Sequence, residues 1–274
     1  MTASRIQTMQ KIDALSEVDR LGLAWAVARN SFKRHSRKLL VDISVLAKHD
    51  AKTGIQRVSR SILSELLKSG VPGYAVSAVY YTPGECYRYA NQYLSSHFPG
   101  EFGADEPVLF SKDDVLIATD LTAHLFPEVV TQIDSMRAAG AFACFVVHDI
   151  LPLRRPEWSI EGIQREFPIW LSCLAEHADR LICVSASVAE DVKAWIAENR
   201  HWVKPNPLLT VSNFHLGADL DARVTSTGMP DTAQALLATM AAAPSLIMVG
   251  TMEPRNGHAQ KPAAFEEIGR EGNA

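Results

Sequence analysis

Cysteine is scarce in this chain. Four cysteines, Cys86, Cys144, Cys173 and Cys183, are scattered through 274 residues, and no two form a C-x-x-C pair. That spacing argues against a disulfide framework or a zinc site, and the four read as reduced core residues of a cytosolic protein. Excess charge is also lacking. The net charge is −4, so there is no basic surplus of the kind that binds nucleic acid, and no nucleic-acid partner is expected. The first residues contain no long apolar leader segment. The stretch "LGLAWAVA" from Leu21 to Ala28 is too short to span a bilayer and is bracketed by Arg20 and Arg29. The uncharged run from Thr232 to Met252 is broken by Pro244 and rich in Ala and Thr. It reads as a helix, a turn and a buried strand, not a membrane span. Internal repeats and low-complexity tracts are absent.

What is present is alternation. "KLLVDISVL" reads as a buried strand over Leu39 to Ile43, and "TGIQRVSRSILSELLKSG" as a helix with Ile55, Val58, Ile62 and Leu66 on one face and Gly70 as its stop. Further strands are expected at Tyr74 to Thr82, in "DVLIATD", at Ala141 to Val147, in "RLICVS" and in "LLTVSNF". Helices are expected over Phe126 to Ala139, Ile160 to His177 and Ala186 to Glu198, with Tyr80 to Gly103 as a long aromatic excursion. Strands apolar on both faces, alternating with helices, predict an α/β fold with a parallel sheet covered on both sides. Ile6, Met9, Ile12, Leu15, Val18 and Leu21 recur every three residues and lead to the basic cluster Lys33, Arg34, His35, Arg37 and Lys38. This suggests an amphipathic helix with a basic end over residues 1–37, packed on the body or lying on an anionic membrane surface. Residues 38–221 form the main domain, 222–244 a linker and helix, and 245–274 the start of a second domain.

In parallel sheets of this kind, ligands bind beyond the carboxyl ends of the strands. Gly54 opens the helix after the first strand, where a backbone can approach an anion closely, and Arg57 lies in the first turn. "VVHDILPLRRPEW" places His148 and Asp149 at the end of an apolar strand. A histidine there can exchange a proton or donate to developing negative charge. Arg154 and Arg155 read as solvated. In "VSASVAEDV", Ser185 or Ser187 starts a helix, with Glu190 at capping-box spacing from Ser187. In "LIMVGTMEPRNGHAQ", Gly250 ends a strand and Arg255 supplies a fork that can hold a diphosphate.

The ordered set "LVDIS…TGIQRVSR", "VVHDILPLRRPEW", "ADRLICVSASVAEDV", "FHLGADL" and "LIMVGTMEPRNGHAQ" resembles the family 4 (group 1) glycosyltransferases of the GT-B fold. The likeness covers most of residues 38 to 260. It implies two Rossmann-like domains facing a cleft, with the acceptor held by the amino-terminal one and a nucleotide-sugar by the other. It implies metal-independent sugar transfer, usually with retention, to a glycan or lipid-linked acceptor, and no cofactor. By position, Gly54 would lie near the donor phosphate, His148 near the transferred sugar, and Arg255 on the diphosphate. Arg57 and Asp149 become acceptor-side candidates. Two departures stand out. Asn256 replaces the lysine that usually follows the arginine, and the family's later acidic motif has no counterpart. Glu266 and Glu267 come too early for it and read as a solvated helix face, on a helix in which Pro262 sits awkwardly.

The resulting expectation is the N-terminal half of a GT-B fold plus the opening strand of an incomplete donor domain. Such a chain would be a glycosyltransferase polypeptide, inactive alone, that needs a missing carboxy-terminal half. It would be cytoplasmic, with a peripheral contact at the inner face of the membrane. The alternatives are a non-catalytic acceptor-binding module or remnant, and a membrane-surface scaffold using residues 5 to 38.

Overall fold

The computed structural model describes residues 16, 17, 36–217, 230–242, 245, 247–250 and 256–271. The amphipathic helix expected over residues 1–37 lies almost wholly outside them. The sheet contains β1 (Arg37–Asp42), β2 (Tyr74–Tyr81), β3 (Tyr87–Tyr89), β4 (Val115–Ala118), β5 (Phe142–Val147), β6 (Arg180–Cys183) and β7 (Thr210–Asn213). Their spatial order is β3-β2-β1-β4-β5-β6-β7. Every pairing is parallel except that of β3 with β2. Helices α1 (Gly54–Ser69), α2 (Asn91–His97), α3 (Val130–Ala138), α4 (Leu151–Arg154), α5 (Glu161–His177) and α6 (Ala186–Glu198) connect the strands.

The central strands β1 and β5 are buried on both faces, as their apolar runs require. In β1 the residues Leu39 to Asp42 are all buried, and in β5 the five residues Ala143 to Val147. Side chains alternate faces along a strand, and the core divides accordingly. Leu40 joins a large cluster with Leu116, Phe145, Phe167, Trp170 and Trp195. Its neighbour Val41 joins a smaller one with Ile43, Leu63, Ala78 and Leu94, from α1, α2 and the strands they cover. The expected Rossmann-like α/β layers are therefore present, and they agree with one half of a GT-B arrangement. The cysteines are free thiols. Burial pushes Cys144 and Cys183 up to about 11, so neither is a nucleophile at neutral pH.

Side-chain caps start two of the helices, α1 and α6. Thr53 caps α1 with a complete capping box, its hydroxyl accepting from Gln56 N and the Gln56 side chain accepting from Thr53 N. Thr53→Ala is expected to lower stability by about 1 kcal/mol, read as a drop in the urea midpoint with an unchanged slope. At α6 the cap is Ser185, whose hydroxyl accepts from Val188 N at 3.2 Å. Ser187 lies inside the helix, so the capping box from Ser187 to Glu190 does not form.

Three other expectations need correction. The stretch Tyr80 to Gly103 is not mere excursion, for it contains the edge strand β3 and the helix α2. The helix expected from Phe126 begins only at Val130, after a 3-10 turn over Ala123–Leu125. The opening strand of a second domain, expected around residues 246 to 250, is not formed at residues 247–249, and Ile247 and Val249 are 70% and 90% exposed. A strand needs a neighbour for its backbone groups, and no sheet partner for it lies among the described residues. The helices α7 (Ala233–Ala241) and α8 (Gln260–Glu271) do form. Pro262 sits in the first turn of α8, where its missing N–H would have no intrahelical partner anyway.

Candidate functional site

The strand order reverses direction between β1 and β4. From β1 the chain proceeds outward to β2 on one side, while β4 continues to β5, β6 and β7 on the other. The two crossovers diverge there and leave a crevice beyond the carboxyl ends of the strands. Asp42 ends β1, Thr119 and Asp120 follow β4, and His148 follows β5. Sequence position alone scatters these residues, and the parallel sheet brings them together.

Asp42 is only 2% exposed. Its Oδ1 accepts from Ser44 N at 2.8 Å and from the Ser44 hydroxyl, and its Oδ2 accepts from the Tyr87 hydroxyl at 2.9 Å. Burial still dominates and raises its pKa from 3.8 to about 6, against the pull of the Ser44 bonds. Asp120 is equally buried. Its Oδ2 accepts from Val45 N at 3.0 Å and Leu46 N at 2.8 Å, while Oδ1 has no hydrogen-bond partner. Burial raises this carboxyl's pKa too. An unpaired buried carboxylate oxygen costs stability.

His148 is half-buried. Its Nε2 lies 2.9 Å from Thr119 O. A carbonyl can only accept, so Nε2 carries the proton. Burial lowers the ring's pKa, opposed by the Thr119 bond and by the charges of Asp149 and Asp120. The ring is therefore neutral at pH 7, with Nδ1 as a hydrogen-bond acceptor. Asp149 accepts from Leu151 N at 3.0 Å and so braces the turn into α4. It acts on His148 through its charge.

Gly54 is the first residue of α1, and a Cβ built on it would meet nothing within 4 Å. Neither packing nor a left-handed φ demands glycine there, and the space above the helix start is open. Arg57 is exposed in the first turn, with no ion-pair partner among the described residues. Arg154 pairs with Glu198 at 2.9 Å, and Arg155 lies over the Trp158 ring at 5.6 Å. Arg255 lies outside the described residues.

A cleft of about 520 Å³ adjoins this centre, walled by His148, Asp149, Glu157, Trp158, Ile160 and Trp170 among others. The structure thus unites His148, Asp149 and the start of α1 around one opening. Asp120, Tyr87 and Trp170 are the residues that sequence reading passed over. Asp120 alone carried a signal, as a carboxylate closing an apolar strand in "LIATD".

Comparison with known proteins meets this geometry. The chain is 93% identical over 272 residues to a serotype-specific mannosyltransferase, WbdA, of Escherichia coli. It is nearly identical to part of a mannosyltransferase. The match takes in 99% of this chain and 32% of that WbdA, and two further E. coli proteins of the same name match at 93% and 92%, each with 33% of its length covered. The chain thus spans about a third of the length of the curated relatives it matches. No protein-family model matches it. No helix among the described residues is long and apolar enough to cross a membrane.

Proposed function

We propose that this chain is the acceptor-side portion of a glycosyltransferase that moves a mannosyl group from a nucleotide-sugar to a glycan or lipid-linked acceptor. The observation that carries the reading is the near identity to WbdA along 272 residues, which include the whole crevice. In this reading the donor is bound mainly by parts of the longer protein, and the chain alone does not turn over. The open amides at the start of α1, beside Gly54, receive the donor phosphate. Arg255 adds a fixed positive charge to the departing diphosphate, so that no metal is needed. His148, neutral and held by Thr119, accepts a hydrogen bond from a hydroxyl of the reacting sugar through Nδ1. Arg57 and Asp149 border the acceptor. The protein works in the cytoplasm, with residues 1–37 making a peripheral contact at the inner face of the membrane.

The test restores the missing length. This segment is placed in the frame of the full E. coli WbdA, in exchange for the matching third, and transfer of radiolabelled mannose from a nucleoside diphosphate mannose is measured. Transfer by the hybrid and none by the 274-residue chain is the expected result. A hybrid that folds but transfers nothing sinks the reading and leaves a non-catalytic acceptor-binding module.

A further inference from the structure

We propose that the cleft beside His148 is a pyranose subsite for the terminal sugar of the acceptor, with Trp158 as its platform and the indole N–H of Trp170 as a donor kept for a sugar hydroxyl. The inference rests on the transferase reading for the word acceptor, and on independent observations for the sugar.

Trp170 lies in α5, packs edge-to-face on Phe167 at 4.8 Å, and is 2% exposed. Its Nε1 is buried with no hydrogen-bond partner. An indole N–H is a donor only, and tryptophans buried in proteins usually satisfy it. Leaving it unpaired costs about 1–3 kcal/mol, which a ligand oxygen would recover. Trp170 walls the same cleft as His148 and Asp149.

The rest of the lining fits a sugar ring. Trp158 is 40% exposed, with the Arg155 guanidinium over its ring at 5.6 Å. The cation braces the indole, and the exposed part of the ring can take the C–H face of a pyranose. Glu157, Ser159 and Asp149 supply oxygen acceptors, while Ile160 and Ile163 supply apolar wall. The volume of about 520 Å³ falls within the ~300–1,000 Å³ of small-molecule sites. A sugar seated there lies against His148, where an acceptor hydroxyl must arrive. The lining runs in the chain from Ile55, beside the amides that receive the donor phosphate in the reading above, to Trp170, so a sugar seated here meets the donor across the start of α1.

The 274-residue chain, labelled with ¹⁵N at its five tryptophans, gives a direct readout. Methyl α-D-mannopyranoside and an α-linked mannobiose are added while the indole N–H signals are followed. The signal missing in Trp170→Phe is expected to move, and Trp158→Ala to weaken binding at least tenfold without changing Tm. Should Trp170→Phe not fold, the exposed Trp158 variant alone decides. Indole signals that stay fixed at saturating sugar, or unchanged affinity in Trp158→Ala, overturn the proposal. In the full-length hybrid, Trp158→Ala should raise KM for the acceptor and spare KM for the donor, and a rise for the donor instead also overturns it. A hybrid that transfers mannose while the indoles stay silent removes the subsite and keeps the transferase. Indoles that respond in a chain whose hybrid is inactive do the reverse.

Discussion

In the full-length hybrid, His148→Ala is expected to lower kcat by about a hundredfold, or roughly 3 kcal/mol of barrier. The ring holds a single tautomer because Nε2 donates to Thr119 O, so Nδ1 is fixed as an acceptor before substrate arrives. Such preorganisation is what truncation removes. Collapse of the fold is not expected to confuse the result. Thr119 O also accepts from the Ser59 hydroxyl at 2.9 Å, so losing the imidazole orphans no carbonyl. The pH profile gives a second check. The ring's pKa lies below its usual 6.5, so protonation of His148 should depress the wild-type rate only below that value. The variant should lack this limb. Full activity in His148→Ala, with an unchanged acid limb, would remove the residue from the reacting centre.

Asp42→Asn should stabilise the protein at pH 8 by about 1–3 kcal/mol. The carboxyl binds its proton more tightly in the folded state, with a pKa of about 6 against 3.8. Its contribution to stability is therefore fully present below about pH 4 and is lost as pH rises through about 6. A rise from 3.8 to about 6 corresponds to a ceiling of about 3 kcal/mol, and full burial leaves little solvent screening to reduce it. Asparagine retains an oxygen for the Ser44 amide and hydroxyl and presents an N–H₂ to the Tyr87 oxygen. The stability difference between variant and wild type should be near zero at pH 4 and reach its plateau above pH 6.5. The charge of Asp120 contributes to the rise at Asp42, so the variant relieves that carboxyl too, and the gain above pH 6 includes this relief. Taking the difference removes His148, whose lowered pKa costs stability as pH falls below 6.5. Urea unfolding across that range measures it, and a variant less stable than wild type at pH 8 would refute the account.

The layers follow from the amino-acid pattern. Runs such as Leu39 to Val41 and Ala141 to Val147 are apolar without alternation, as strands buried on both faces are. The pattern also determined where chemistry would gather, because Gly54, His148 and Asp149 follow strand ends and parallel strands all point one way. Weak local signals were beyond it. The strand β3 has three residues, too short for a period to show, and exists because β2 offers it an edge. A strand at 246–250 was read from apolarity alone, yet pairing is a property of neighbours, and the described residues supply none. The choice of Ser185 over Ser187 as a cap turned on where β6 releases the chain. The site's electrostatics follow only from packing. Asp42, Asp120 and His148 are up to 106 positions apart in the chain (148 − 42). Only the sheet order puts them under one crevice, where burial outweighs their hydrogen bonds and sets all three ionisations. The orphaned N–H of Trp170 is likewise invisible in sequence, since a missing hydrogen bond depends on what every neighbouring element leaves unfilled.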